Sequence, residues 1–455
     1  MKKYLVTFIY LFFMSLPVFA ITDSGLEHMN MDWWKNFNDE HLIQNLLKVY
    51  ENNYDLKNAA LKIQANEQVA KMQFAQELPF VTFSADISRD LKAARQQFGE
   101  MQIPTYSQNN FYFPITAGYE IDIWGKNRLK TKSKKQQLEM AKQAQRATYI
   151  SLTSNFVSDY FNLIKTDKLL EIQKELVGTQ KEILSMTKSK FEIGLAPVTE
   201  VLYQDKILST LKEEENNYIK SQEVLTNNLK VYLADFNDKV KRTPFEKVVV
   251  LENIPQKIDT EIIEKRPDYL QEEANIKRIG FDVKVAKKEF LPSFTIFGQI
   301  GLNAYTLSTL CKSPSQFFTA GILPSFDLFS GGRKLAFMKM QKFRYEEALN
   351  NYQKIYLNAA NEINSSLVDY KTTTKNYIES QDKFSKECKL YYLAKEKRNI
   401  GSSSNLNVLS EKEIYLSTQK ELVVNKINTI LSTISLYKAT GGVDLYKLNA
   451  DKSKL

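Results

Sequence analysis

The chain has 455 residues, a formal net charge of +9, and only 15 Gly, 11 Pro, 2 Cys and 2 His. That length suits two or three ordinary domains, and the shortage of helix breakers favours long uninterrupted helices. His28 and His41 show no metal-type spacing, Cys311 and Cys388 read as two isolated thiols, and the basic residues are mixed with Glu and Asp along helices. Metal chemistry and nucleic-acid binding are therefore not expected, and the charge reads as a solvated surface.

The first twenty residues read as a secretory signal. Lys2 and Lys3 form its positive end, Leu5 to Phe13 its apolar core, and Val18-Phe19-Ala20 a cleavage site, with the mature chain starting near Ile21. A membrane anchor is the competing reading, but the apolar run is short for a span. No Cys follows the cleavage site to carry a lipid, and no later stretch approaches about 18 apolar residues.

Asp39 is placed to cap a helix carrying Leu42, Leu46, Leu47 and Tyr50, and helical spacing continues to Leu78, where Pro79 ends it. The period then changes from 3.6 to 2. In 80–87, Val81, Phe83, Ala85 and Ile87 share one face. After a polar stretch over 89–110, Phe111, Phe113, Ile115, Ala117, Tyr119, Ile121 and Ile123 alternate with Tyr112, Thr116, Glu120 and Asp122. Apolar residues outward and polar residues inward is the pattern of an outer-membrane strand, so Thr116, Glu120 and Asp122 are expected to face a lumen. Trp124-Gly125 closes it. From Lys126 to Ile193 there is no Pro and one Gly, a helix of about 100 Å at 1.5 Å per residue.

That helix stops at Ile193-Gly194. Leu195, Ala196 and Pro197 turn the chain, and Val198 to Tyr232 returns as a second helix. The segment 234–260 is irregular. Then the pattern repeats: a helix from Arg266-Pro267-Asp268 to Phe290, a stop at Leu291-Pro292, and a strand over 293–300. A loop follows over 303–316, then a strand over 317–327 running into Phe329-Ser-Gly331-Gly332. A second helix free of Gly and Pro covers 333–400. It ends at Ile400-Gly401, turns through Ser402 and Ser403, and a last helix runs to Gly441-Gly442. Gly at each stop fits the left-handed position that closes a helix, and Pro197 and the Ser and Asn residues after Gly401 fit a new helix start. The boundaries are thus a signal at 1–20, a first repeat at 21–233, a linker at 234–260, a second repeat at 261–442 and a tail at 443–455.

Two strands per repeat give four per chain, too few to close a membrane barrel, and an open sheet in lipid leaves edge groups unpaired. Other copies must complete it; three would supply twelve strands. The long helices carry narrow apolar stripes suited to side-by-side packing. The loops over 92–106 and 305–315 are expected outside the cell. Trp124 and Phe329, at matching strand-to-helix junctions, read equally as interfacial aromatics or as ordinary packing. No catalytic constellation is visible in the sequence, and no cofactor is expected.

These marks, in this order and duplicated, resemble the TolC-like outer-membrane factors, nearer the multidrug-efflux branch. They include Trp33-Trp34 with Phe37, Arg266-Pro-Asp268, Leu291-Pro292, Phe326-Asp-Leu-Phe-Ser-Gly-Gly332-Arg333, the paired tips and Leu436-Tyr-Lys-Ala-Thr-Gly-Gly442. The resemblance implies a mainly α fold with a membrane β-barrel: a homotrimer whose twelve-stranded barrel continues into an α-helical barrel across the periplasm. It implies passive conduction, a periplasmic adaptor that touches the tips (Gly194, Leu195, Pro197, Gly401, Ser402, Ser403), and an inner-membrane pump, of the RND type in this branch. Type I protein secretion and a trimeric coiled-coil adhesin are the alternatives; the latter would need heptads on single helices rather than returning hairpins. In the family the second tip carries two Asp that form acidic rings; here Asn407 and Ser410 stand there, with Glu200 and Tyr203 at the matching places of the first tip. A basic residue that locks the closed state in the family is replaced here by Ser403. Glu200 either faces the opening or pairs with a neighbouring Lys.

Overall fold

A computed structural model describes residues 29–92, 95–96, 102–103, 106–237, 239–252, 254–255 and 257–446. The expected signal, His28 and most of the tail lie outside them. In chain order the helices are α1 (Met31–Lys35), α2 (Glu40–Asn52), α3 (Tyr54–Ala75), α4 (Lys126–Glu192), α5 (Val198–Leu233), α6 (Pro267–Lys288), α7 (Arg333–Asn399) and α8 (Asn405–Ala439). The strands are β1 (Phe80–Phe83), β2 (Asp86–Lys92), β3 (Arg95–Gln96), β4 (Gln102–Ile103), β5 (Tyr106–Glu120), β6 (Ser293–Ala304) and β7 (Gln316–Ser325). The duplication is metrical: α4 and α7 each have 67 residues, α3 and α6 each have 22, and α5 and α8 have 36 and 35.

The chain divides into two compact units, one of 29–58, 145–267 and 357–446, the other of 59–144 and 268–356 among the described residues. In the first, apolar burial centres on aromatic rings. Trp33 stacks on Tyr437 at 5.6 Å with planes 2° apart, Trp34 meets the same ring edge-on, and Phe37 packs on Phe161. Such pairs contribute roughly 0.5–1.5 kcal/mol each beyond area burial. Asp39 caps α2 as expected, accepting from the Leu42 amide, and also accepts from the hydroxyls of Tyr160 and Thr243 at 2.8 Å.

The single helix expected from Asp39 to Leu78 is in fact two. Asn53 breaks it: its side-chain oxygen accepts from the amides of Asp55 and Leu56, while its amide nitrogen donates to the Tyr232 carbonyl. A short side chain that satisfies local backbone competes with the helix ladder. The linker is irregular but tied down. Asn45 donates to the Lys241 carbonyl, Arg242 holds both oxygens of Asp167 through Nε and Nη2, and Lys168 pairs with Glu246 at 2.8 Å.

Pairing within the hairpins differs between the repeats. On α4 the buried polar residues Thr166, Gln173, Gln180 and Thr187 recur every seventh position. Gln173 donates to the Leu211 carbonyl and Gln180 to the Gln204 carbonyl of α5. Between α7 and α8 the contacts include small hydroxyls, Thr373 with Ser432 and Thr429 with the Thr373 carbonyl, beside the Lys383–Glu421 pair and Tyr391 stacked on Tyr415. Small residues let helix backbones approach closely.

Arg266 and the closing glycines of the second repeat meet. The buried Arg266 guanidinium donates to the Ala439 carbonyl at 2.6 Å and pairs with Glu362 at 2.8 Å. Gly441 sits at φ +75°, where an added Cβ would lie 2.9 Å from Arg266 Cγ and 3.1 Å from its Cα. Gly441→Ala should therefore cost about 1–3 kcal/mol, since a left-handed backbone alone costs an L-residue roughly 1–2. A Tm lowered by several degrees relative to a Gly178→Ala control is the expected result, because Gly178 has open space around it.

Candidate functional site

The second unit contains a five-stranded antiparallel sheet in the order β1/β2, β5, β6, β7, and the short pair β3–β4. β1 and β2 share one register along β5, from Phe80 opposite Gly118 to Lys92 opposite Tyr106, so the strand expected over 80–87 runs on to 92 without a slip. The stretch 89–110, expected to be polar loop, is largely hairpin; 93–94, 97–101 and 104–105 lie outside the described residues. At the other end the expected strands stop early, β5 at Glu120 and β7 at Ser325.

The register confirms the two faces. One carries Val81, Phe83, Ile115, Ile296, Ile300, Phe318 and Ile322, all exposed. The other is polar, where Tyr112 donates to Gln299 at 3.1 Å and Gln299 to Thr116 at 3.0 Å. It also carries a row across all four strands: Phe80 opposite Gly118, Gly118 opposite Phe297, Phe297 opposite Gly321. Each ring lies over a neighbouring glycine, with Phe80 ring atoms 2.5 and 2.6 Å from where a Gly118 Cβ would be. A ring shielding a bare strand backbone in this way stabilises an otherwise weak strand position. Ile115→Arg should block assembly, because charge in mid-bilayer on the outer face of a barrel costs about 2–4 kcal/mol. Thr116→Arg, one residue on and on the polar face, should assemble, and heat-labile oligomer on gels reads the difference.

Asp122, which sequence alternation places in the strand, lies past β5 and caps α4, accepting from the amides of Asn127 at 3.2 Å and Arg128 at 3.0 Å. Trp124 donates its ring N–H to the Pro292 carbonyl at 2.7 Å, whereas Phe329 is 89% exposed. Gly125, Gly331 and Gly332 all have positive φ, from 57° to 80°. The junction residues are thus brought to the sheet's end by two turns that need glycine.

The two tips, in the first unit, have one construction. Gly194 (φ 75°) donates to Phe191 and Leu195 to Lys190; Gly401 (φ 77°) donates to Arg398 and Ser402 to Lys397. That is the Schellman bond pair, made twice. Pro197 occupies the N-cap of α5 rather than its first turn, and Ser404 caps α8 by accepting from the Asn407 amide at 3.2 Å. Asn407 also donates to Ser403 at 3.1 Å, so the position expected to lack a lock holds a neutral bond within its own tip. Tyr203, Asn407 and Ser410 are exposed and Glu200 half-buried. Among the described residues Glu200 makes no ion pair, and no bond joins Glu200 or Tyr203 to Asn407 or Ser410. Asn405 reaches the Met186 sulfur of the other tip at 3.5 Å.

Farther along, where α4 and α8 lie together, Lys412 pairs with Glu175 at 3.0 Å and Lys420 with Glu214 at 3.5 Å. Burial draws the Lys420 ammonium below its usual range against the pull of Glu214, and burial pushes the Glu413 carboxyl up. Sequence reading missed Glu413. Its raised folded-state pKa means that charged Glu413 costs stability at neutral pH and ceases to as pH falls through that value. Glu413→Gln should raise the Tm at about pH 7, and that gain should shrink as pH falls and vanish below about pH 3, where Glu413 is protonated folded and unfolded alike.

A family model described as Outer membrane efflux protein matches residues 43–234 and 260–442, and the chain belongs to that family. It is similar to the probable efflux pump outer membrane protein TtgC of Pseudomonas putida, at 24% identity over 94% of this chain and 88% of the relative. It is also similar to the cation efflux system protein CusC of Escherichia coli O157:H7, at 22% identity over 94% of this chain and 93% of the relative. Among solved structures, the CmeC outer membrane channel of Campylobacter jejuni matches with a TM-score of 0.82 at 27% identity, covering 93% of this chain and 91% of that one. The chain is an outer-membrane channel of an efflux system rather than an enzyme.

Proposed function

We propose that this chain is one third of a homotrimeric exit duct, with a twelve-stranded barrel in the outer membrane and its helical hairpins in the periplasm. The observation that carries this is the sheet itself. Among the described residues β1/β2 and β7 each pair on one side only, and the sheet's exposed apolar face belongs in lipid, where unpaired backbone groups cost several kcal/mol each. A second observation agrees. On α7, Leu357, Val368, Ile378 and Leu390, about three turns apart, are 67%, 61%, 59% and 52% exposed, a stripe that neighbouring copies would cover.

The duct conducts passively, driven by an inner-membrane pump of the RND type through a periplasmic adaptor that meets Gly194, Leu195, Pro197, Gly401, Ser402 and Ser403. Glu200, Tyr203, Asn407 and Ser410 form the periplasmic constriction, three copies of each around one axis. Glu200 is its acid, and it is free of an ion pair within the chain among the described residues. A carboxylate in a narrow, partly dehydrated opening acts strongly on passing ions. The test is conductance of the purified protein in planar bilayers. Glu200→Gln should lower cation selectivity, and Asn407→Asp with Ser410→Asp should raise it and introduce block by multivalent cations. Channels whose selectivity ignores both changes would remove these residues from the narrowest point. Absence of a heat-labile trimer would refute the duct.

A further inference from the structure

Immediately after each membrane strand pair the chain turns strongly basic. Residues 126–138, opening α4, hold six Lys and Arg and no acid; residues 333–345, opening α7, hold five and none. A helix start is the end where the macrodipole disfavours positive charge, so neither run helps its helix. The basic residues of the first turns are neutralised inside the chain. Lys126 pairs with Glu120 and Glu289, Arg128 with Asp122, and Lys334 with Asp327. The next ones are not. Lys130, Lys132 and Lys135 on α4, and Lys339, Lys342 and Arg344 on α7, make no ion pair among the described residues, and all but the half-buried Lys130 are exposed.

These six lie about 5–17 Å along their helices from the strand-to-helix turns. Exposed aromatics accompany them: Trp124 at 39%, Phe326 at 54%, Phe329 at 89% and Phe343 at 66%. Apolar strand face, aromatic girdle and unpaired cations follow one another along the chain, all within one compact unit. Aromatic rings favour the headgroup level, and basic segments beside a membrane are drawn to anionic lipid within a Debye length or two.

We infer that this basic girdle binds the headgroups of anionic phospholipids in the leaflet next to the helices. The inference rests on the barrel reading above. It assigns the lipid contact a chemistry: phosphate groups held by Lys and Arg just beyond the apolar band. The competing occupant, anionic cargo in a lumen, would also meet exposed cations but would not depend on lipid.

The test uses the full-length trimer in nanodiscs of phosphatidylcholine alone, or with about a third phosphatidylglycerol, at about 0.05 M and 0.5 M salt. Two triple variants are compared with it: Lys130, Lys132 and Lys135 to Gln, and Lys339, Lys342 and Arg344 to Gln. For the wild type, phosphatidylglycerol should be retained on the oligomer severalfold above its bulk fraction. The oligomer should dissociate at a higher temperature with it than without, and both effects should shrink in high salt. Each variant should assemble in phosphatidylcholine and lose most of the enrichment. Wild type without enrichment, or variants as enriched as wild type, would overturn the inference. So would variants that change ion selectivity and keep the lipid response, which would place the charges in a lumen. Should the wild type form no trimer even in neutral lipid, the barrel reading fails instead. Should a variant not fold, the salt dependence of wild-type enrichment decides.

Discussion

Backbone hydrogen bonding in a medium without water governs this molecule. Four strands with an apolar face cannot stand alone in lipid, because each edge presents donors and acceptors that nothing there can meet. On the trimeric reading proposed above, the chain is a part rather than a whole, and its exposed Leu and Ile on α7 and its sheet with two open sides are where copies would meet. Within one unit, the aromatic core around Trp33, Trp34 and Tyr437 ties α1 to the end of α8.

Much of this was legible in the residues. The tips could be read from Ile-Gly followed by a cap, because only a few residues tolerate left-handed φ or satisfy a helix start. The strands showed their faces through alternation, and the register kept that alternation through the Ser84-Ala85 gap between β1 and β2. The long helices ended two residues before the Gly at each tip, at Glu192 and Asn399.

Other features were hidden, each for a physical reason. Asn53 looked like one more helical residue, since its capping role depends on a carbonyl 179 positions away. Asp122 fell into an alternating pattern that had already ended. The seven-residue spacing of Gln173 and Gln180 was in the sequence, but its meaning required α5 alongside. Glu413 is distinguished only by what surrounds it. On the trimeric reading proposed above the constriction is shared among chains, and within one chain Glu200 and Asn407 stand at corresponding places of the two tips with no bond between them among the described residues.

The equal helix lengths carry a consequence for anyone who would redesign the molecule. Gln173 and Gln180 of α4 reach carbonyls of α5 at complementary positions, and Thr373 of α7 meets Ser432 of α8 likewise. Deleting one residue from a helix turns everything beyond it by about 100°. Such a change would aim Gln173 and Gln180 away from their acceptors while leaving the tip chemistry untouched. A shorter molecule is reachable only by cutting whole heptads, from outgoing and returning helices together and from both repeats at once. The two halves are free to drift in residue identity, as Glu200 and Asn407 have, but they must keep the same measure.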